Sequence, residues 1–402
     1  MTGVTACTSV TMKITSDLYY VGARNPGLRV FDVIVPTESG TTYNAYLIRG
    51  EKTALIETVQ DGFSDELFDN IRKVCPVEDI DYVICDHTEP DHGGSLGKLL
   101  DINPGITVYG SAPALKNIKN ILNRDINGVV AKNGSVLDLG GYTLKFISAP
   151  NLHWPDSIFT WCEELKTLFT CDFLGCHYCG ETDDTAIADE NRYFTELERY
   201  YTYIFGPFSS AVRTGASIVK DHSPGIVCPS HGPVLKTNIS KVTALYEGWA
   251  EETVKKDRIS VFYVSAYGYT KTLAEALAKG AANGGAEVSV YEITGTDKSV
   301  ISEAIRTSAA YMFGSPTLNR DALPPVWDVL GMVSAVSDRN KPALMFGSYG
   351  WSGEACANLA ERAKGIGLRV DEEPVRICFK PSDEDIAAAV AKGEAFAKAL
   401  FA

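Results

Sequence analysis

The stretch from Asp81 to Gly94, "DYVICDHTEPDHGG", joins a short apolar run to a polar cluster. The run Tyr82 to Cys85 has the length and composition of a buried strand. His87, Glu89, Asp91 and His92 follow on the loop past its carboxyl end, so two imidazoles and two carboxylates occupy six positions. Loops held by rigid strands are where metal ligands commonly lie. Taken alone, the cluster is compatible with zinc for hydrolysis, with iron for redox chemistry, or with no metal at all.

The arrangement recurs further along. "FISAPNLHW", "LFTCD" and "IVCPSHG" each carry one more ligand type just past a strand: His153, Asp172 and His231. Four of the chain's 6 histidines fall in these places, a concentration that scattered surface charge would not produce. From Asp17 to about Ile239, runs such as "TALIET", "YTLKFIS", "KTLFTC" and "GIVCP" alternate with Gly, Asn, Asp and Pro, which describes a β-rich sandwich with some helices. After "YEGWAEETVKKDR" the pattern changes. Five strands, "ISVFYV", "EVSVYE", "AAYMFG", "PALMFG" and "VRICF", alternate with helices such as "TKTLAEALAKGAAN" and "EACANLAERAKGIG". This predicts a doubly wound α/β domain whose ligand sits at the carboxyl ends of the strands. The boundary falls between Val254 and Arg258 and divides the chain into residues 1–254 and 255–402.

Composition narrows the class. The 402 residues are 45% hydrophobic and 22% charged, in the range of a globular protein of two domains. A formal net charge of −14 argues against a nucleic-acid or anionic-membrane partner. The N-terminus "MTGVTACTSVTMKITSDLYY" lacks a basic start followed by an apolar run, and no apolar stretch is long enough to span a membrane. Ten scattered cysteines fit reduced thiols in a cytoplasm, and the one close pair, Cys176-x-x-Cys179, is a weak signal for redox or metal chemistry.

The set His87, Glu89, Asp91, His92, His153, Asp172 and His231 resembles that of the metallo-β-lactamase fold, whose dizinc signature is His-x-His-x-Asp-His. Glu89 stands where that signature has its second histidine. A carboxylate in place of an imidazole makes the site richer in oxygen and favours a harder, redox-active ion over zinc. The resemblance implies an αββα sandwich for the N-terminal domain.

In the second domain, "ISVFYV" runs into Ser265-Ala266-Tyr267-Gly268-Tyr269-Thr270, after which a helix begins. Hydroxyls and open N–H groups at a helix N-terminus form a phosphate cradle, although a simple capped turn reads the same way. "AAYMFG" ends in Ser315-Pro316-Thr317-Leu318-Asn319, and "PALMFG" in Ser348-Tyr349-Gly350-Trp351-Ser352-Gly353. The three loops follow the first, third and fourth strands, where a flavodoxin-like sheet has its switch point. Gly350 and Gly353 allow close backbone approach, and Tyr349 or Trp351 offers an aromatic face. No Gly-x-Gly-x-x-Gly follows a strand, so FMN is favoured over a nicotinamide dinucleotide.

The two domains together resemble the flavodiiron proteins, also called A-type flavoproteins. The residues that carry the resemblance are "GTTYNAYLI" (Gly40 to Ile48), "HTEPDH" (His87 to His92), "LHWPDS" (Leu152 to Ser157), "CDFLGCH" (Cys171 to His177), "SHG" (Ser230 to Gly232) and "GSYGWSGE" (Gly347 to Glu354). The resemblance implies two irons and one FMN per chain. His87, Glu89 and His153 would hold one iron and Asp91, His92 and His231 the other, with Asp172 bridging. It further implies reduction of dioxygen to water, of nitric oxide to nitrous oxide, or both, in a head-to-tail homodimer or homotetramer. By the same comparison His177 and Tyr201 stand behind the ligands, and Asp32 occupies a place where the family often has histidine. With no paired Cys-x-x-Cys knuckles at the C-terminus, the electron donor is expected to be separate: rubredoxin first, a deazaflavin coenzyme or a flavin reductase second. Two other classes compete, a dizinc hydrolase with a regulatory flavodoxin-like domain and an electron-transfer flavoprotein with a degenerate metal domain.

Overall fold

The computed structural model describes residues 11–251 and 254–401. The first ten residues of the N-terminal segment read above lie outside them. Two compact units divide the chain, Met1–Glu251 and Glu252–Ala402.

The N-terminal unit is built on two sheets. The first contains β1 (Met12–Lys13), β2 (Leu18–Tyr20), β3 (Tyr46–Arg49), β4 (Thr53–Ile56), β5 (Tyr82–Cys85), β6 (Thr107–Gly110) and β7 (Gly128–Val130), side by side in chain order. Pairing is antiparallel up to β4 and parallel from β4 onward. The second contains β8 (Val136–Asp138), β9 (Thr143–Ser148), β10 (Ile158–Cys162), β11 (Thr167–Cys171) and β12 (Ile226–Pro229), again in chain order, with only the last pair parallel.

Period-two alternation assigns each face. Ile84 joins Ile56, Phe146, Ile158, Cys162 and Phe169 between the sheets, while its neighbours Val83 and Cys85 turn to Leu67, Ile71 and Leu99 on the covering helices. On the far side of the second sheet, Phe159 and Trp161 pack against Tyr193, Leu197, Val212 and Tyr246. The result is helices, sheet, sheet, helices. Strands covered on both faces read as unbroken apolar runs, and every residue of β10 and β11 is buried. A one-residue slip would exchange the two faces, so register is fixed by burial worth about 1.5–3 kcal/mol per large side chain.

The C-terminal unit is a parallel sheet of β13 (Lys255–Tyr263), β14 (Glu287–Glu292), β15 (Ser308–Gly314), β16 (Pro342–Tyr349) and a last strand in two pieces, β17 (Arg369–Val370) and β18 (Val375–Cys378). The spatial order is β14-β13-β15-β16, with β17 and β18 both on β16, which places the switch point between β13 and β15. Ile259 and Val261 face the helices Tyr269–Asn283 and Asp383–Phe401, and Phe262 faces the opposite layer. β16 runs two residues past the apolar run "PALMFG", because β18 pairs with Phe346 to Tyr349. Ser348 and Tyr349, read from the sequence as loop residues, therefore end a strand.

The two helices on the Ile259 face touch backbone to backbone. A Cβ on Gly280 would lie 2.7 Å from the carbonyl carbon of Val390 and 2.9 Å from the amide of Glu394, and one on Gly393 would lie 3.0 Å from the carbonyl carbon of Leu277. Gly280→Ala is expected to force the helices apart and lower stability by about 1–3 kcal/mol. Urea unfolding of the full chain measures the loss, and hydrogen exchange should confine it to residues 254–401.

Candidate functional site

Each candidate ligand leaves the end of a strand. His87 follows β5, His153 follows β9, Asp172 follows β11 and His231 follows β12. Asp91 and His92 sit on a short helix, Pro90–Gly93, instead of the loop expected from the sequence, with Pro90 supplying a helical φ at its first position. The turn carrying Asp172 is tight, with Cys171 (φ 48°) and Leu174 (φ 67°) both left-handed. Gly232, at φ 77°, lets the chain after His231 pass the Cys176 backbone, whose carbonyl oxygen would stand 2.9 Å from a Cβ there.

These elements bring the seven predicted residues together. Asp172 is buried, and its two oxygens look opposite ways. Oδ2 lies 3.7 Å from His87 Nε2 and 3.5 Å from His153 Nε2, and Oδ1 lies 3.1 Å from His92 Nε2 and 3.4 Å from His231 Nε2. Glu89 Oε2 completes the first half, 3.3 Å from His87 Nε2 and 3.1 Å from His153 Nε2. Asp91 completes the second, with Oδ1 3.4 Å from His92 Nε2 and Oδ2 3.1 Å from His231 Nε2. Within each of the sets His87, Glu89, His153, Asp172 and Asp91, His92, His231, one ligand atom per residue lies within 4.8 Å of the others.

Polar atoms without hydrogen-bond partners converge here. Both Asp91 carboxylate oxygens and both His92 ring nitrogens are buried without a hydrogen bond. Orphaned buried acceptors of this kind are strongly unfavourable without a cation, so the residues fit a pair of metal ions. The donor set of four imidazoles and three carboxylates suits iron. Cys171 also lies within ligand distance of His92 and Asp172, but burial, followed by the Asp172 charge, holds its thiol well above the usual range.

A second layer orients the ligands. His87 Nδ1 stands 3.1 Å from Asp156 Oδ1, and Asp156 Oδ2 accepts from the Thr88 amide at 2.9 Å and the Thr88 hydroxyl at 2.6 Å. His231 Nδ1 meets the Thr42 carbonyl and lies 3.3 Å from Thr41 Oγ1. Both contacts assign the proton to Nδ1 and leave Nε2 facing the cluster. His177 is buried, with Nδ1 2.9 Å from the same Thr41 hydroxyl. The Tyr200 hydroxyl donates to Asp172 Oδ1 at 3.0 Å, whereas Tyr201 packs its ring between Tyr246 and Trp249. The position behind Asp172 thus belongs to Tyr200, because successive helical residues point about 100° apart. Sequence reasoning did not single out Asp156, Thr41, Thr42 or Tyr200; Asp156 left a signal in "LHWPDS" and Thr41 and Thr42 in "GTTYNAYLI", while Tyr200 left none. Asp32 lies in a hairpin loop beside the cluster. Burial, then the Glu89 and Asp91 carboxylates, raise its pKa to about 6.

In the C-terminal unit the three predicted loops meet at the carboxyl ends of β13, β15 and β16. Ser265, Ala266, Tyr267 and Gly268 link β13 to the helix that Tyr269 and Thr270 open. Its N-cap is Gly268 (φ 85°), its first turn carries no acidic residue, and its Lys271 amide is taken by a side chain, the Ser265 hydroxyl at 3.2 Å, so no charge opposes an anion there. Thr270 Oγ1 meets Ser348 Oγ at 2.9 Å, and the Thr317 amide donates to the Ser348 carbonyl at 3.0 Å, which ties the loops together. Ser315 Oγ accepts from the Leu323 amide, and Pro316 and Asn319 continue the same loop. Gly350, Trp351 and Gly353 lead into the helix Glu354–Gly365. Tyr267 and Trp351 are 84% and 83% exposed, leaving aromatic faces free for a planar ring. These residues fit FMN.

The chain matches two family models and several known proteins. Residues 41–232 match the model of the ODP family beta lactamases, and residues 261–393 match the flavodoxin model. The flavo-diiron protein FprA2 of Clostridium acetobutylicum is 42% identical over 97% of this chain and 99% of its own length. The nitric oxide reductase of Moorella thermoacetica is 32% identical over 93% of this chain and 94% of its own. Among solved structures, the rubredoxin oxygen:oxidoreductase of Desulfovibrio gigas superposes with a TM-score of 0.70 at 29% identity, covering 98% of this chain and 99% of its own.

The charges of the cluster make metal uptake depend on pH. Burial alone would discharge His87, but Asp156, Glu89 and Asp172 raise its pKa to about 10, and Asp91 and Asp172 likewise raise His92 against its burial. Both imidazoles hold protons at pH 7 that a cation must displace. Adding ferrous ion to metal-free protein is expected to release protons from the cluster's imidazoles, with affinity falling as pH falls. Calorimetry in buffers of different ionisation enthalpy checks this.

Proposed function

The chain belongs to the flavo-diiron proteins, and from that premise we propose that it reduces dioxygen to water, nitric oxide to nitrous oxide, or both, with electrons passed through FMN. It is an oxidoreductase of two cofactors, a non-haem diiron centre and a flavin. The observation that carries the reading is Asp172, one carboxylate with an oxygen toward each of two ligand sets.

We assign His87, Glu89 and His153 to one iron, Asp91, His92 and His231 to the other, and Asp172 to both. Bound there, two ferrous ions would supply one electron each and reduced FMN two more, the four that dioxygen needs together with four protons to become two waters. The remaining work is done by the chain. Asp156 and the Thr42 carbonyl fix the tautomers of His87 and His231, so that each Nε2 keeps its lone pair for the centre. Tyr200 anchors Asp172 through Oδ1. Trp154, Phe205 and Phe208 surround the ring of His153 and exclude water from that side. Asp32 carries a carboxyl proton beside Glu89 on the acid side of its pKa near 6.

The finer assignments are proposals of the same kind. Ser265 to Thr270, with the loops at Ser315 to Asn319 and Ser348 to Gly353, hold FMN, supported by the Gly268 helix start without an acidic residue and the exposed Tyr267 and Trp351. The protein takes electrons from an external carrier, rubredoxin first, as the name of the Desulfovibrio gigas protein supports, and a deazaflavin coenzyme or flavin reductase second. It works as a head-to-tail homodimer or homotetramer. Apolar residues left exposed in both units, Val33 and Ile34 in one and Tyr267 and Trp351 in the other, support such an assembly. A cytoplasmic location is supported by buried thiols such as Cys85, Cys171, Cys176 and Cys228; no helix among the described residues is long and apolar enough to cross a membrane.

Anaerobically purified protein is expected to contain about two irons and one FMN per chain. Asp172→Ala should keep a reducible flavin yet lose gas consumption by more than about 100-fold, since a shared ligand outweighs the 10–100-fold effect typical of an outer residue. Stoichiometric zinc without flavin, or unchanged turnover in the variant, contradicts the proposal.

A further inference from the structure

The two halves of the centre have matching ligand types but unequal surroundings. Each offers two imidazoles, one terminal carboxylate and one oxygen of Asp172. Behind the first half stands a charge. Asp156 is 1% exposed, its carboxylate faces His87 Nδ1 at 3.1 Å, and its only ion pair among the described residues is with that ring. Thr88 holds the other oxygen through its amide and hydroxyl, and the Ser111 hydroxyl donates to the Asp156 carbonyl at 2.8 Å. Behind the second half no carboxylate hydrogen-bonds an Nδ1. His231 Nδ1 meets the Thr42 carbonyl, and His92 Nδ1 is buried without a hydrogen bond. Glu57 accepts the His87 amide at 3.1 Å, and its carboxyl acts on His92 more than on His87 but hydrogen-bonds neither ring, so the direct carboxylate bond to an Nδ1 remains on the first half alone.

Tyr200 adds to the difference. Its hydroxyl donates to Asp172 Oδ1, the oxygen facing His92 and His231, and draws charge away from that side only. An imidazole that donates to a buried carboxylate becomes a more basic, more electron-rich ligand. Such a ligand stabilises the more highly charged ion.

We propose that Asp156 sets an order of reduction: the half held by His87, Glu89 and His153 retains a ferric ion while the half held by Asp91, His92 and His231 takes the first electron. This rests on the diiron reading of the site. The step is one electron from reduced flavin to one ferric ion, giving ferrous ion with no bond formed or broken. Asp156 acts as a positioning residue through His87, and its charge, beyond its shape, carries the effect.

An anaerobic redox titration of the iron-loaded holoprotein, followed by Mössbauer and EPR spectroscopy, tests this with two variants of opposite sign. Wild type should show two separated reduction steps and a mixed-valent intermediate. Asp156→Asn keeps an acceptor for His87 but removes the charge, and should raise the lower potential about tenfold in reduction constant, about 59 mV, leaving the upper one in place. Thr88→Val removes the hydroxyl that shares the Asp156 charge, and should lower the same potential. If Asp156→Asn fails to fold or to hold iron, the direction of the Thr88→Val shift decides alone. Movement of both variants in one direction, movement of the upper step, or no movement with two irons bound overturns the inference. A wild type that does not bind two irons overturns the diiron reading and this inference with it.

Discussion

Asp172 is held inside the N-terminal unit with four imidazole nitrogens around its two oxygens, and the rest of that unit can be understood as what is needed to keep it there. Burial of a carboxylate carries a penalty of several kcal/mol, and six further titratable ligands crowd the same space. Two sheets with a dry interior and a helical layer on each outer face bring His87, His153, Asp172 and His231 to strand ends that converge from different parts of the chain. In the metal-free protein, protons on the imidazoles offset the carboxylates, as the raised pKa values of His87 and His92 indicate. Two cations in their place satisfy the orphaned oxygens of Asp91 as well. Metal binding and the local fold are therefore one equilibrium.

Glu89 decides what the shared architecture is used for. The β-lactamase-like scaffold accommodates imidazole-rich zinc sites, and a carboxylate at this position shifts the donor set toward oxygen. That change is useful only when electrons arrive, and the second unit supplies the means. Its switch point gathers a Gly268 helix start, the Thr270 to Ser348 contact and two exposed aromatic rings, an arrangement that fits a mononucleotide.

Much of this was legible in the sequence, for a physical reason. Ligands that directly follow apolar runs report their own placement, so "DYVIC" before His87 and "LFTC" before Asp172 could be read locally. What could not be read depends on distant pairing or on helical phase. Asp156 reaches His87 across 69 positions, and Thr41 reaches His231 across 190. Tyr200 rather than Tyr201 faces Asp172 because the α-helix Glu190–Tyr200 passes into a wider turn at Tyr201–Phe205, a phase that no local pattern announces. Ser348 and Tyr349 became strand residues through their pairing with Ile377 and Cys378.

The central claim is that the seven-residue cluster passes flavin electrons to a diatomic gas. Stopped-flow mixing of anaerobically reduced holoprotein with dioxygen and, separately, with nitric oxide tests it most directly. At least one gas should reoxidise both flavin and iron within the mixing experiment, with water or nitrous oxide as the product. Reduced flavin and iron that persist in the presence of either gas, or flavin oxidation that releases peroxide while the iron stays ferrous, would contradict it.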